Sequence, residues 1–261
     1  MGQNTSHEAV YLETRVEDPP NGDPQGLALL SHGRLGGSYD QPPIRLLAEY
    51  LRDKRRLRVV TWNNRGVGNS GGQSEWNDFG VWVGDAGIND YNRMLRESMT
   101  NFTRDFPLKK GAQLFICRKL TAIQPKGYSA GAIYAGCARP LPSFYQFAPA
   151  YYIFISYPVD LNPLIGLFKS GSHFRSLEAL VQGHGWENLP SEFHGAEPEV
   201  AAVITITGQL EAVLFYDMWT GILGSKNARK VLTQVRVEGA DHTWNGKTYC
   251  IVEEVDKWLS Y

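Results

Sequence analysis

Residues 127–131 read Gly-Tyr-Ser-Ala-Gly, the spacing G-x-S-x-G. A serine in this pattern can sit on a sharp turn between a strand and a helix. Glycine is needed on either side because the turn is strained and neighbouring backbone crowds it. With a base to take its proton, the hydroxyl of Ser129 becomes a nucleophile toward carbonyl carbon. The next residues, "SAGAIYAGCARP", are small and end at Pro140, as suits a helix lying close against a sheet. The backbone N–H of Ala130 would then supply one donor to an oxyanion. A second match, "GNSGG" at 68–72, puts Ser70 in the same spacing, but no helical pattern follows it. That stretch also fits G-x-G-x-x-G at Gly66, Gly68 and Gly71. A dinucleotide fingerprint needs a strand before it and a helix immediately after. The strand is there and the helix is not, so the better reading is a Gly-rich loop at a strand's carboxyl end.

A serine hydroxyl needs a base, and the chain has six histidines. His7 lies in the N-terminal tail, and His173, His184 and His194 lie in an irregular stretch. His32 precedes Gly33 at a strand end. His242, in "VRVEGADHTWNGK", follows the last strand and precedes the last helix, the position of a general base in the chain order Ser, acid, His. The base needs an acid to fix its tautomer and stabilise the imidazolium. "ITITGQLEAVLFYDMW" puts Glu211 three residues after Gly208, in the loop after the preceding strand. Asp160, ending "SYPVD" one strand earlier, is the reserve. Asp217 falls in a helical pattern, and Asp241, adjacent to His242, should point elsewhere. A second oxyanion donor is expected from "LLSHGRLGGSYD", through the N–H of Arg34 or Leu35.

These residues need elements to position them, and apolar runs alternate with helical patterns along the chain. Strands are expected in 9–16, 26–33, 57–64, 112–117, 151–159, 201–208 and 231–239. Helices are expected in 44–54, 87–102 and 249–261. Such alternation means βαβ units and a mostly parallel sheet, covered on both faces. The expected class is therefore α/β, with a mostly parallel twisted sheet flanked by helices on both faces. Residues 1–25 hold a tail and first strand, and 26–261 one domain. Residues 160–200 mix short helical pieces with Gly, Pro and His and read as a small cap between two strands.

Composition narrows the partners. A net charge of −1 over 261 residues gives no general pull toward nucleic acid or anionic membrane. The one basic run, "RDKRRLR" at 52–58, reads as the close of a helix, where cations oppose the dipole. Cys117, Cys137 and Cys250 show no CxxC spacing and no disulfide framework, which fits a reducing, cytoplasmic compartment. The N-terminus has no apolar signal region, and no segment approaches the ~20 apolar residues of a membrane span. "MGQNTS" fits the myristoylation pattern at Gly2, which would add a weak membrane attachment. No metal-ligand cluster or cofactor motif is read.

Together, "SHGRLGG", "NNRGVGNSGG", "GYSAGA", "ITGQLE" and "GADHTW", in that order, resemble the α/β-hydrolase superfamily. The resemblance spans about residues 26–260 and looks closest to small-cap hydrolases near the dienelactone-hydrolase-like and prolyl-peptidase-like branches. It implies a mostly parallel sheet of about eight strands or slightly fewer, and acyl transfer to water without a cofactor, on a small-molecule or acyl substrate. By position, Ser129, Glu211 and His242 match its nucleophile, acid and base. Two places depart from the pattern. The first strand pair is closely spaced, with only "EDPPNGDPQ" between 9–16 and 26–33. More consequentially, "LFIC" (114–117) is followed by "RKLTAIQPK" before "GYSAGA". Either "LTAIQ" replaces the central strand, or residues 118–126 are a loop inserted between strand and nucleophile. The insertion motivates the alternative of a catalytically impaired binding or scaffold protein on the same fold.

Overall fold

The computed structural model describes residues 9–32, 37–73, 86–107, 112–119, 135, 136, 138, 150–156, 180, 181, 200–210, 231–241 and 243–260. Their strands are β1 (Thr14–Glu17), β2 (Gly26–Ser31), β3 (Arg58–Trp62), β4 (Gln113–Lys119), β5 (Ala150–Ile155), β6 (Val200–Gly208) and β7 (Leu232–Val237). The helices are α1 (Pro42–Asp53), α2 (Ala86–Asp105) and α3 (Thr248–Trp258). α1 opens on two prolines, whose fixed φ suits the first turn and whose missing N–H would have no partner there. Its last turn carries Arg52, as the dipole favours.

The described strands form one seven-stranded sheet in the order β1-β3-β2-β4-β5-β6-β7. β1 is antiparallel to β3, and every other pairing is parallel. Side-chain alternation divides the core in two. Leu27, Leu29, Leu114, Ile116, Tyr152 and Phe154 face α2, packing with Tyr91, Leu95, Met99 and Phe102. Ala28, Leu30, Phe115, Cys117, Ile153 and Ile155 face α1 and α3, packing with Ile44, Leu47, Leu51, Ile251 and Val255. Burial on both faces is why these strands read as unbroken apolar runs. The architecture is thus an α/β sandwich with helices on both faces of a mostly parallel sheet.

Two expectations are refined. The first strand is shorter than 9–16. Residues 11–13 bond instead to the loop after β3: Gly71 N–H reaches Tyr11 C=O at 2.9 Å, and Asn63 N–H reaches Glu13 C=O at 2.9 Å. The second concerns the centre of the sheet. β4 runs to Lys119, with Arg118 paired to both Ser31 and Phe154 and Lys119 to Ile155. Residues 118 and 119 therefore belong to the strand, so an insertion cannot begin at 118, and "LTAIQ" does not replace "LFIC". Main-chain pairing is indifferent to side-chain type, and these residues are the last two of the strand.

Three cations of the basic run, Arg52, Arg56 and Arg58, are paired with carboxylates. Arg52 bonds Glu17 and Asp53, and Arg58 forks onto Asp18 and reaches Asp105 at 2.7 Å. Arg58 lies on β3, so the run closes α1 and then opens the next strand. Among the described residues no helix is long and apolar enough to cross a membrane. A cleft of about 480 Å³ lies between β1 and α2, over Leu12, Val16, Val60 and Met94.

Candidate active site

In a parallel sheet the loops leaving the strand carboxyl ends gather along one edge, where ligands bind in open α/β folds. Here that edge is made by Ser31 ending β2 and His32 after it, Asn63 to Gly72 after β3, Lys119 ending β4, Ser156 after β5, Gln209 after β6, and Glu238 to Asp241 with Thr243 and Trp244 after β7. Ser129, Ala130, Glu211, Asp160, Arg34, Leu35 and His242 lie outside the described residues, as do Gly2 and most of 160–200. The described neighbours of each can be placed.

The loop after β3 is organised around a carboxylate. Glu13 accepts from Asn63 Nδ2 at 2.7 Å, Asn69 N–H at 2.9 Å and Asn69 Nδ2 at 2.9 Å. These bonds, led by the Asn69 N–H, hold its carboxyl down from an ordinary 4.5 to about 2. Gly68 is required here. Its φ is +57°, and a Cβ would stand 2.4 Å from Glu13 Oε2 and 2.6 Å from Asn63 Nδ2. Ser70, 8% exposed, donates to Asn63 C=O at 2.8 Å and accepts from Glu13 N–H at 2.9 Å. Its hydroxyl is a structural tie between β1 and β3. The N–H groups of Gly66, Val67, Ser70 and Gly71 bond to main-chain carbonyls. With Asn69 turned onto Glu13, the loop already holds an internal anion. Arg65 grips Asp90 of α2 through two N–H groups, with side chains 13% and 7% exposed, and Arg93 adds a third contact at 3.4 Å.

Ser31, His32 and Asn64 form a second tie. His32 is fully buried, and its Nε2 accepts the Asn64 N–H at 3.0 Å. Asn64 Nδ2 donates to His32 C=O at 3.0 Å, and Ser31 Oγ donates to Asn64 Oδ1 at 3.1 Å. This Nε2 is engaged as an acceptor, so His32 is not placed to act as a base through it. Cys117 is also unsuited as a nucleophile, because complete burial pushes its thiol well up.

At the other end, the turn after β6 docks on the turn after β7. Gln209 N–H reaches Val237 C=O and Leu210 N–H reaches Ala240 C=O, each at 2.9 Å. Gly208 permits this approach, since a Cβ there would stand 2.5 Å from Ala240 O. Asp241 turns its carboxylate onto its own loop, as the sequence suggested. Oδ1 accepts from Thr243 Oγ1 at 2.7 Å and from Thr243 N–H and Trp244 N–H at 2.9 Å. These bonds, the Thr243 hydroxyl foremost, hold its carboxyl below the usual range. Trp244 is fully buried and donates Nε1–H to Ser156 Oγ at 3.0 Å, tying this loop to the end of β5.

On the far side of β4, Ala135 and Gly136 are helical and buried, and Tyr152 donates to Ala138 C=O at 3.0 Å. Among the described residues no group of three or more His, Cys, Asp or Glu could hold a metal ion.

No family model and no curated protein matches the sequence. Solved structures do match the whole chain. An α/β serine hydrolase homologue from Coxiella burnetii superposes with a TM-score of 0.58 at 16% identity, over 97% of each chain. Est1E from Butyrivibrio proteoclasticus, with ferulic acid bound, gives 0.59 at 11% identity, over 97% of this chain and 96% of that one. A serine hydrolase without a lid from Xanthomonas campestris gives 0.51 at 16%, over 96% and 94%. The chain has the α/β-hydrolase fold.

Within the α/β-hydrolase fold, residue type and position nominate the candidates, whereas the described edge is held by other residues. Glu13, Asn63, Asn64 and His32 make the ties of the β2–β3 side, and Ser156 and Trp244 those of the β5–β7 side. The available signal was weak: His-Gly after a buried strand, and Asn-Asn after the strand beside it.

Proposed function

We propose that the chain is a serine hydrolase acting on an ester, thioester or amide of a small-molecule or acyl substrate. Ser129 Oγ attacks the substrate carbonyl while His242 takes its proton. The tetrahedral oxyanion is held by the N–H of Ala130 and that of Arg34 or Leu35. Collapse breaks the bond to the alcohol, thiol or amine, which leaves with the proton from His242. Water then attacks the acyl-enzyme, again through His242, releasing a carboxylic acid and restoring Ser129. Glu211 orients the imidazole, with Asp160 in reserve. No cofactor is needed.

The observation that carries this reading is the Leu210 N–H to Ala240 C=O bond. It joins the residue before Glu211 to the residue two before His242, at the edge toward which β4 also runs. One observation favours the alternative of a catalytically impaired binding protein. β4 ends at Lys119, and residues 120–128 intervene before Ser129. The experiment is active-site labelling with a fluorophosphonate, followed by p-nitrophenyl esters of graded acyl length. Labelling of the parent, lost in Ser129→Ala, is expected. A folded parent that neither labels nor turns over any ester overturns the hydrolase reading and favours the binding one.

A further inference from the structure

β1 is the outermost described strand on its side of the sheet, and its hydrogen bonds show which of its groups face out. Tyr11 C=O accepts from Gly71 N–H and Glu13 C=O from Asn63 N–H, both on the β3 side. The register Thr14↔Trp62, Arg15↔Thr61, Val16↔Val60, Glu17↔Val59 continues that series. Bonded and non-bonded pairs alternate in an antiparallel ladder. Arg15 and Glu17 therefore exchange bonds with β3, while Thr14 and Val16 aim their N–H and C=O outward. Among the described residues nothing bonds to those outward groups. Val16, 55% exposed, joins Tyr11, 68% exposed, as a large apolar side chain left open beside the cleft against α2. The free stretch is bounded at both ends. Upstream, Leu12 C=O accepts from Thr14 Oγ1 at 2.9 Å and Val10 C=O from Arg93 at 2.7 Å. Downstream, Pro19 and Pro20 have no N–H to offer.

Residues 14–18 read Thr-Arg-Val-Glu-Asp. When two copies pair antiparallel about a two-fold axis, outward residues must stand opposite outward residues. With Val16 on the axis, Arg15 of each copy faces Glu17 of the other, and Thr14 faces Asp18. One step to either side is unfavourable. Thr14 opposite Val16 sets Arg15 against Arg15, and Val16 opposite Asp18 sets Glu17 against Glu17. Opposite charges across a sheet stabilise and like charges destabilise, so the charges select the register centred on Val16 over its neighbours. The two exposed valines then cover each other.

We propose that the outer edge of β1 is a self-association surface, on which a second copy of this chain pairs antiparallel through residues 14–18 with Val16 at the two-fold axis. Both strands are already ordered on β3, so pairing costs less conformational entropy than it would for a flexible peptide on the same edge. The inference is independent of the hydrolase reading.

The test is sedimentation of the full chain from low micromolar to near-millimolar concentration. The parent should shift reversibly from single chains to pairs. Amide exchange at Thr14 and Val16 should slow with that shift, while Arg15 and Glu17, bonded to β3, are protected throughout. Arg15→Glu and Glu17→Arg each make both facing charge pairs repulsive, and each alone should lose at least about tenfold in self-affinity. Mixed in equal amounts, the two variants restore opposite charges at both contacts and should pair with each other. Both should fold, because the Arg15–Asp40 and Arg52–Glu17 contacts they remove are partly exposed pairs of small worth. Val16→Pro removes an outward N–H that β3 does not use, and it should stay single. Should Val16→Pro fail to fold, the charge variants carry the decision. A parent that remains single across the range overturns the proposal and leaves the edge to an extended peptide. A mixture that does not pair, or a folded Val16→Pro that pairs as the parent does, overturns it as well and moves the contact to another surface.

Discussion

Two carboxylates hold the two ends of the sheet's carboxyl edge, and they do it differently. Glu13 gathers donors from Asn63 and Asn69, 50 and 56 residues away. Asp241 gathers them from Thr243 and Trp244, two and three residues away. The chemistry is shared: an acceptor-only group takes N–H donors and is held below its ordinary pKa. The consequences differ. The Glu13 bonds exist only once β1 and β3 are paired, so they report the tertiary fold. The Asp241 bonds close a turn that the local chain can form alone, and it is the buried Trp244, through Ser156, that docks that turn. One end of the edge is thus a network of side chains, and the other a set of turns joined by main-chain bonds.

The network should be the more fragile end, and the buried ion pair beside it tests this first. Asp90 is the shared acceptor of Arg65 and Arg93. Asp90→Ala leaves the Arg65 guanidinium, 13% exposed, without that counter-ion, and losing one partner of a buried pair costs about 3–5 kcal/mol. Urea unfolding of the two proteins measures it. A loss under about 1 kcal/mol, the scale of a surface pair, would mean that water reaches Arg65 and that the network is no stiffer than the turns.

What was legible in the sequence follows the same division. The buried strands and α2 were readable because burial on one or both faces writes a period into the chain. The turn of the Asp241 carboxylate onto Thr243 and Trp244 was readable because an Asx turn is local. Glu13 was not, since in "AVYLETRV" it stands in an alternating pattern that suggests a longer strand. That strand stops short because residues 11–13 bond to the loop after β3, a partner the pattern does not name. Arg118 and Lys119 misled in the opposite sense. The sequence reading puts them at the start of the 118–126 segment, outside the strand, yet the register runs to Arg118 with β2 and through Lys119 with β5. For the candidate site, residue type and order nominated Ser129, Glu211 and His242. The ties flanking them are long-range hydrogen bonds, which leave no periodicity behind.

Acid unfolding sharpens the comparison next. Glu13 is depressed from 4.5 to about 2. A folded-state pKa below the unfolded one contributes stability that is complete above about pH 4.5 and is lost as pH falls toward 2. Glu13→Gln removes the titration, so the difference between variant and parent should be largest at neutral pH and shrink across that window. Urea midpoints from pH 2.5 to 7 check it. A difference that stays constant with pH would mean that the carboxylate charge is not what the Asn63 and Asn69 donors select.

The smallest effect is expected at the other end. Asp241→Ala strips the acceptor from Thr243 N–H, Thr243 Oγ1 and Trp244 N–H. The group is partly exposed, so water can replace some of these bonds, and a lost side-chain cap is worth about 1 kcal/mol. Asp241→Asn keeps an acceptor oxygen at the same place and should lose less. The sign of the pH effect is that of Glu13: the depressed carboxyl contributes above its ordinary 3.8, and the contribution fades as pH falls through the lower folded value. Parent and Asp241→Asn should therefore converge in acid. If Asp241→Ala instead costs as much as Asp90→Ala, the turn is not locally sufficient. Its bonds would then be part of what seats Trp244 against Ser156, and both ends of the edge would be tertiary networks.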